Sequence, residues 1–166
     1  EKAFICQVPL HLNPDEIPPP PPKAYACESA EWQVHKNKCY RSFPNYIMNQ
    51  TDAIKFCTKV NAQLPDILNQ DEQEYIQYII KNDAWMDLIA VSAWEWLNNG
   101  VPLRKGDYQN WLGGFAPPPN EDLLCAFIVA SNISSDDFGK WSAVDCYKER
   151  SVLCKKEATP LFLLTT

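Results

Sequence analysis

The chain has 166 residues, enough for one ordinary domain plus a tail, and six Trp, seven Tyr and seven Phe to build a sizeable core. A formal charge of −6, with the basic residues scattered, argues against binding to a nucleic-acid backbone, where cations must replace condensed counterions. Only five glycines argue against a glycine-rich phosphate loop, and no apolar run is long enough to span a membrane.

In chain order, residues 1–8 come first. Phe4-Ile5-Cys6-Gln7 repeats the pattern of Val152-Leu153-Cys154-Lys155, an apolar pair followed by cysteine and a polar residue. This reads as the last strand of a preceding copy of the same domain, with Cys6 paired upstream. A free or intermolecular thiol at Cys6 is the other reading. The N-terminus has no signal-peptide pattern, so the signal has been removed or the chain belongs to a longer protein. Residues 9–24 form a proline-rich linker whose five consecutive prolines, 18–22, adopt stiff polyproline II. A spacer is the simpler reading of that run than a ligand for a proline-binding module. The domain proper is expected over 25–157 and a C-terminal tail over 158–166.

Within the domain, Trp32 to Phe43 alternates around Lys36-Asn37, which predicts a hairpin. Thr51 to Asn61 places Ile54, Cys57 and Val60 on one helical face, with Thr51 as candidate N-cap. A second helix follows Asn69, whose side chain caps while Glu72 completes an Asn-x-x-Glu box. Tyr75, Ile76, Ile79 and Ile80 form its apolar face. Leu88 to Val91 and Leu123 to Ala130 read as buried strands. Phe138 to Val144 and Arg150 to Lys155 read as a closing hairpin around Lys148-Glu149. Between about 97 and 122 lies a long Asn-, Gly- and Pro-rich segment without a period, and its aromatics Tyr108, Trp111 and Phe115 predict a packed loop.

Cysteines stand at 6, 27, 39, 57, 125, 146 and 154, with no Cys-x-x-Cys pair, so zinc-ribbon and thioredoxin readings fail. Wide spacing points to disulfides and an oxidising compartment. Two sequons agree with a secretory route: Asn49-Gln-Thr51 and Asn132-Ile-Ser134, making Asn49 and Asn132 candidate glycosylation sites.

Two helices, then a long loop among short strands, with cysteines at these places, resemble the C-type lectin-like domain in its long form. Cys27, Trp32, Cys39 and Tyr40 resemble its N-terminal hairpin. Cys57 lies in the first helix, and Leu64 and Glu72 lead into the second. Trp85-Met86-Asp87-Leu88 resembles the family's Trp-Ile-Gly-Leu strand, with Asp87 where Gly is usual. Trp94-Glu95-Trp96, Asn99-Gly100, Tyr108 and Asn110-Trp111 follow the family order into the long loop. Gly139, Trp141, Cys146 and Cys154 match the final strands. The resemblance covers roughly 27–155, and its specificity lies in the ordered set of six cysteines and six tryptophans. It implies an α+β fold of two helices with short antiparallel sheets and a long loop, stapled by disulfides. The tandem arrangement resembles that of the mannose receptor family. The pairs Cys27–Cys39, Cys57–Cys154 and Cys125–Cys146 are implied by the family, since six cysteines alone allow fifteen pairings. Closing so long a loop through Cys57–Cys154 is worth roughly 4–5 kcal/mol in the chain-entropy model.

In sugar-binding members, the resemblance implies, calcium is held by a Glu-Pro-Asn or Gln-Pro-Asp triplet in the long loop, a further Glu and a Trp-Asn-Asp strand. Calcium needs about 6–8 oxygens. Here Pro118-Pro119-Asn120 puts Pro118 where the first carboxylate or amide belongs, and Trp141-Ser142-Ala143 lacks both Asn and Asp. Asn120, Glu121 and Asp122 cannot fill the shell alone, and Asp107, Asp136 and Asp137 read as solvated loop carboxylates. No metal or cofactor is therefore expected. Catalysis is not expected either: the two histidines, His11 and His35, lie in or beside the linker and first hairpin, away from a candidate nucleophile. Glu72 and Glu74 share a helix but point to different faces.

The expectation is an extracellular recognition module, secreted or in a receptor ectodomain, binding a protein or an atypical ligand without calcium. A structural role in a matrix protein and a glycan-binding lectin with a nonstandard site remain the alternatives. Contact candidates are Arg104, Lys105, Phe115, Asn120 and Glu121, a mixture of aromatic and charged groups that interfaces favour. Pro117, Pro118 and Pro119 stiffen their stretch and lower the ordering cost of binding.

Overall fold

In a computed structural model the chain is described at residue 22, 24–130 and 136–162. The preceding-strand and linker segments, Cys6 and Asn132 lie outside the described residues.

Strand β1 (Ala24–Ala26) is followed by β2 (Gln33–His35) and β3 (Lys38–Met48), which form the expected hairpin. His35 faces Lys38 across the turn at Lys36, whose φ is 52°. Helix α1 (Gln50–Lys59) begins at Asn49, not Thr51. Asn49 Oδ1 accepts from the Asp52 amide at 2.9 Å, satisfying one amide of the first turn. The start is set from outside the helix. Strand β3 runs along β9 (Arg150–Glu157) as far as Met48↔Arg150, so the chain first turns at Asn49. Helix α2 (Gln70–Ile79) starts as expected, with Asn69 Oδ1 accepting from the Glu72 amide at 2.9 Å. The reciprocal bond differs from a capping box: Glu72 Oε2 accepts from Leu68, one residue before the cap.

Strands β4 (Ala84–Ala90), β5 (Trp94–Trp96), β6 (Val101–Pro102), β7 (Cys125–Ile128) and β8 (Trp141–Val144) precede β9, and β10 (Thr159–Leu161) follows it. The main sheet has the order β2-β3-β9-β4-β5-β6, with β7 on β4 and β8 on β7. The expected closing hairpin is not formed. Strand β8 pairs with β7, from Ile128↔Trp141 to Cys125↔Val144, while β9 pairs with β3 and touches β4 at Ala84↔Ser151. Val91, expected in a buried strand, is exposed just past the end of β4. Strand β10 falls in the stretch expected as a tail and pairs with β1.

Strand alternation divides the core in two. From β4, Ala84, Met86, Leu88 and Ala90 join the cluster containing Ile76 of α2, with Ala126 and Ile128 of β7. Trp85 joins Ala53 and Cys57 of α1, with Phe127 of β7 and Val152 of β9, in the other. Three disulfides, Cys27–Cys39, Cys57–Cys154 and Cys125–Cys146, have Cα separations of 5.8, 5.5 and 5.1 Å. Cys57–Cys154 ties α1 to β9, and Cys125–Cys146 ties β7 to the residues after β8.

Buried polar groups lock α2 to the sheet. The Lys155 ammonium pairs with Asp66 at 2.8 Å and with Glu72, whose Oε1 also accepts from Tyr40 at 2.6 Å. Burial, with the Glu72 carboxylate beside it, holds the Tyr40 phenol far above its usual range. No helix among the described residues is long and apolar enough to cross a membrane.

Candidate functional site

The loop between β5 and β7 has few strand residues to hold it, so isolated backbone bonds and side chains hold it. Leu97 donates to the Asp87 carbonyl at 2.9 Å, and Asn98 donates to the Asp87 carboxylate at 2.9 Å. Asp87 is buried, and burial pushes its carboxyl up to about 7. Its role was not visible in the sequence, where it registered only as a departure from glycine. At the far side of the loop, Trp94 Nε1 donates to the Pro117 carbonyl at 2.7 Å. Trp111 lies beside Trp141: the Trp141 amide donates to Asn110 and the Leu112 amide to the Trp141 carbonyl, both at 2.8 Å.

Four tryptophans form the platform under the loop. Ring centroids are 4.8 Å apart for Trp94 and Trp111, 5.7 Å for Trp111 and Trp141, and 6.0 Å for Trp96 and Trp141. The indole N–H groups of Trp94, Trp111 and Trp141 find acceptors as well. Trp141 Nε1 donates to Gln73 at 2.7 Å and Trp111 Nε1 to Gln109 at 3.1 Å. Tyr108 reaches Gln70 of α2 at 2.8 Å. Tyr108 and Trp111 are thus scaffold of the loop, as their sequence positions suggest.

On this platform lies an apolar cavity of about 220 Å³. Trp111 and Trp141 contribute to its walls, Ser142 and Ala143 of β8 to one side. Leu112, Phe115, Pro117, Pro118 and Leu123 contribute from the loop. Phe115 is 72% exposed. Of the contact candidates, Phe115 is the one that lines the cavity. Asn120 and Glu121 lie in a turn between the lining residues Pro118 and Leu123. There Asn120 Oδ1 accepts from Asp122 at 3.0 Å, and the Asn120 carbonyl accepts from Leu123 at 3.1 Å. Arg104 and Lys105 occupy a separate exposed turn, closed by the Arg104 amide donating to Asp107 at 2.7 Å. Leu112 and Leu123 were missed in the sequence. The usable signal was apolar residues on both sides of a site that needs oxygens.

The positions that the resemblance assigns to ion ligands hold few oxygens here. Pro118, Ser142 and Ala143 bring one hydroxyl where several carboxylate and amide oxygens are needed, and Asn120 Oδ1 is engaged by its own turn. Among the described residues no group of three or more His, Cys, Asp or Glu could hold a metal ion. A larger polar hollow of about 500 Å³ borders β9, but its charges answer one another: Lys155 pairs with Asp66, and Lys38 with Glu157. His35 is stacked on Tyr75 and bonded to Asp71 at 2.7 Å.

The Lectin C-type domain family model matches residues 46–156. CD209 antigen-like protein C of Mus musculus is 30% identical over 134 residues, covering 77% of this chain and 68% of that protein. C-type mannose receptor 2 of Homo sapiens is 27% identical over 171 residues, covering 95% of this chain but 11% of that protein. Among solved structures, a calcium-independent type II antifreeze protein superposes with a TM-score of 0.68 at 27% identity, covering 81% of this chain and 97% of that one.

Proposed function

The chain belongs to the C-type lectin domain family, and on that premise we propose that it is a non-enzymatic recognition module that binds a protein ligand through its long loop without calcium. The observation that carries this reading is the cavity: Pro118, Ser142 and Ala143, at the positions where sugar-binding members place ion ligands, here line an apolar hollow. A hydrated divalent cation gains nothing there, whereas apolar surface does. The similarity to a calcium-independent antifreeze protein supports the view that this fold stands without the ion. Phe115 and the adjoining turn with Asn120 and Glu121 are the proposed contacts, with Arg104 and Lys105 as peripheral ones. Three disulfides support a place outside the cell, as a secreted protein or an ectodomain. Asn49, half-buried as the α1 cap, is the proposed glycan carrier among the described residues. The match to a small part of a long receptor supports a module in a tandem protein, with 9–24 as linker and 25–157 as domain.

Calorimetric titration with calcium, paired with glycan and protein binding with and without chelator, tests the reading. The expected result is no calcium heat and protein binding indifferent to chelator. Glycan binding lost on chelation overturns it, and the absence of any saturable ligand points to a scaffolding role.

A further inference from the structure

The cavity is smaller than the roughly 300–1,000 Å³ of sites that enclose a whole small ligand, and at about 220 Å³ it matches one inserted group. Its polar atoms are largely spoken for. Both indole N–H groups are bonded elsewhere, to Gln73 and Gln109, and the Pro117 carbonyl accepts from Trp94. Apart from the Ser142 hydroxyl, what the walls offer is mostly hydrocarbon, with Phe115 standing in water at the mouth. Acidic charge stands beside the mouth. The turn between Pro118 and Leu123 exposes Glu121 and Asp122. The Lys140 ammonium, next in sequence to Trp141, is bonded to Asn110 at 2.8 Å, and Arg104 and Lys105 sit on their own turn.

Resting on the calcium-independent reading above, we infer that the cavity takes a single bulky apolar side chain from a partner polypeptide that carries lysine or arginine beside it. The apolar group is the buried anchor of the interface, and the acidic turn selects the flanking charge. The prolines hold the mouth open in advance, which lowers the ordering cost of binding.

The experiment titrates the full chain with short peptides in which a central tryptophan is flanked by lysines, and with the same peptides carrying alanine at the centre or glutamates at the flanks. Binding is followed through the indole N–H resonances of Trp111 and Trp141. The lysine-flanked tryptophan peptide is expected to bind and shift both resonances. Alanine at the centre should weaken binding about tenfold or more. Glutamate flanks should weaken it by roughly three- to tenfold, and the double variant Glu121→Lys, Asp122→Lys should reverse that preference. Ser142→Leu, which fills the cavity from β8, should abolish binding; retained resonances of buried Trp85 and Trp96 report an intact fold. No peptide binding, equal binding of the alanine peptide, shifts confined to other residues, or an unchanged preference in the charge-reversed variant overturns the inference. A calcium arm separates the two readings. Peptide failure without a calcium effect removes only the side-chain anchor, while calcium-dependent glycan binding at the loop removes the proposed function as well.

Discussion

Strands β3 and β9 run as one ladder from Lys38↔Glu157 to Met48↔Arg150, broken by a single irregularity between Phe43 and Ile47. Residues 97–124, by contrast, contain one strand, the two residues of β6. The ladder region spends its backbone polar groups on its own regular pairing and adds Cys57–Cys154 and the Lys155 ion pairs. The loop region satisfies its polar groups through isolated backbone bonds, such as Leu112 to Trp141 and Gly114 to Trp111, and through side chains: Asp87 for Asn98, Trp94 for Pro117, Asp107 for Arg104. Backbone held in this way does not care which residues face outward between the anchors. The loop can therefore exchange a polar face for an apolar cavity while the tryptophan platform and the sheet stay as they are.

That contrast breaks at predictable places. Replacing Cys57 and Cys154 together by alanine should cost about 4–5 kcal/mol in urea denaturation, because it frees the loop of the unfolded chain that spans their separation of 97 residues. Trp141→Ala, at a fully buried position, should cost roughly 3–5 kcal/mol and leave Gln73 Oε1 without its donor. Loss of the Trp111 indole resonance from its folded position would show that the loop detaches with it.

Asp87 links the two regions through pH. Burial raises its folded pKa to about 7, above its unfolded value of about 3.9. Between those values the folded state holds more protons than the unfolded one, so stability is greatest at the acidic end and falls as pH rises through 7. The slope reaches at most about 1.4 kcal/mol per pH unit. Asp87→Asn, which keeps an acceptor for Asn98, should flatten it; an unchanged pH profile of the midpoint would refute this account.

Smaller effects mark the boundary of the scaffold. Asn49→Ala should cost about 1 kcal/mol by removing the α1 cap. Phe115→Ala should stay within about 0.5 kcal/mol of the parent, since that ring is exposed, while weakening ligand binding. A large stability loss at Phe115 would make it scaffold rather than contact.

Much of the fold was legible because its signals are local or ordinal. The alternation into Lys36-Asn37 marks a hairpin, Asn69 marks a helix start, and the order of cysteines and tryptophans marks the family. Part of the site was legible too: Pro118, Ser142 and Ala143 were visible as departures from the residues that the family places at its ion site. Three features were not. Thr51 and Asn49 are both able caps, and the choice fell to the strand that ends at Met48. The sequence neighbours β8 and β9 look like a hairpin, but β8 completes the ladder on β7 and braces the loop through Trp111. Lys155, Asp87 and Gln73 look like surface residues until partners distant in sequence surround them.

The sequence by itself marked the two helices, the first hairpin, the candidate cysteines and the departures from the family's ion-ligand residues at 118, 142 and 143, because period, capping and side-chain chemistry are properties of single segments. Only the tertiary structure decided that Phe115, Pro118, Leu123 and Ala143 meet around one cavity, with an acidic turn at its edge. Which side chains converge depends on long-range strand pairing and on how the tryptophans pack, and neither is a property of any one segment.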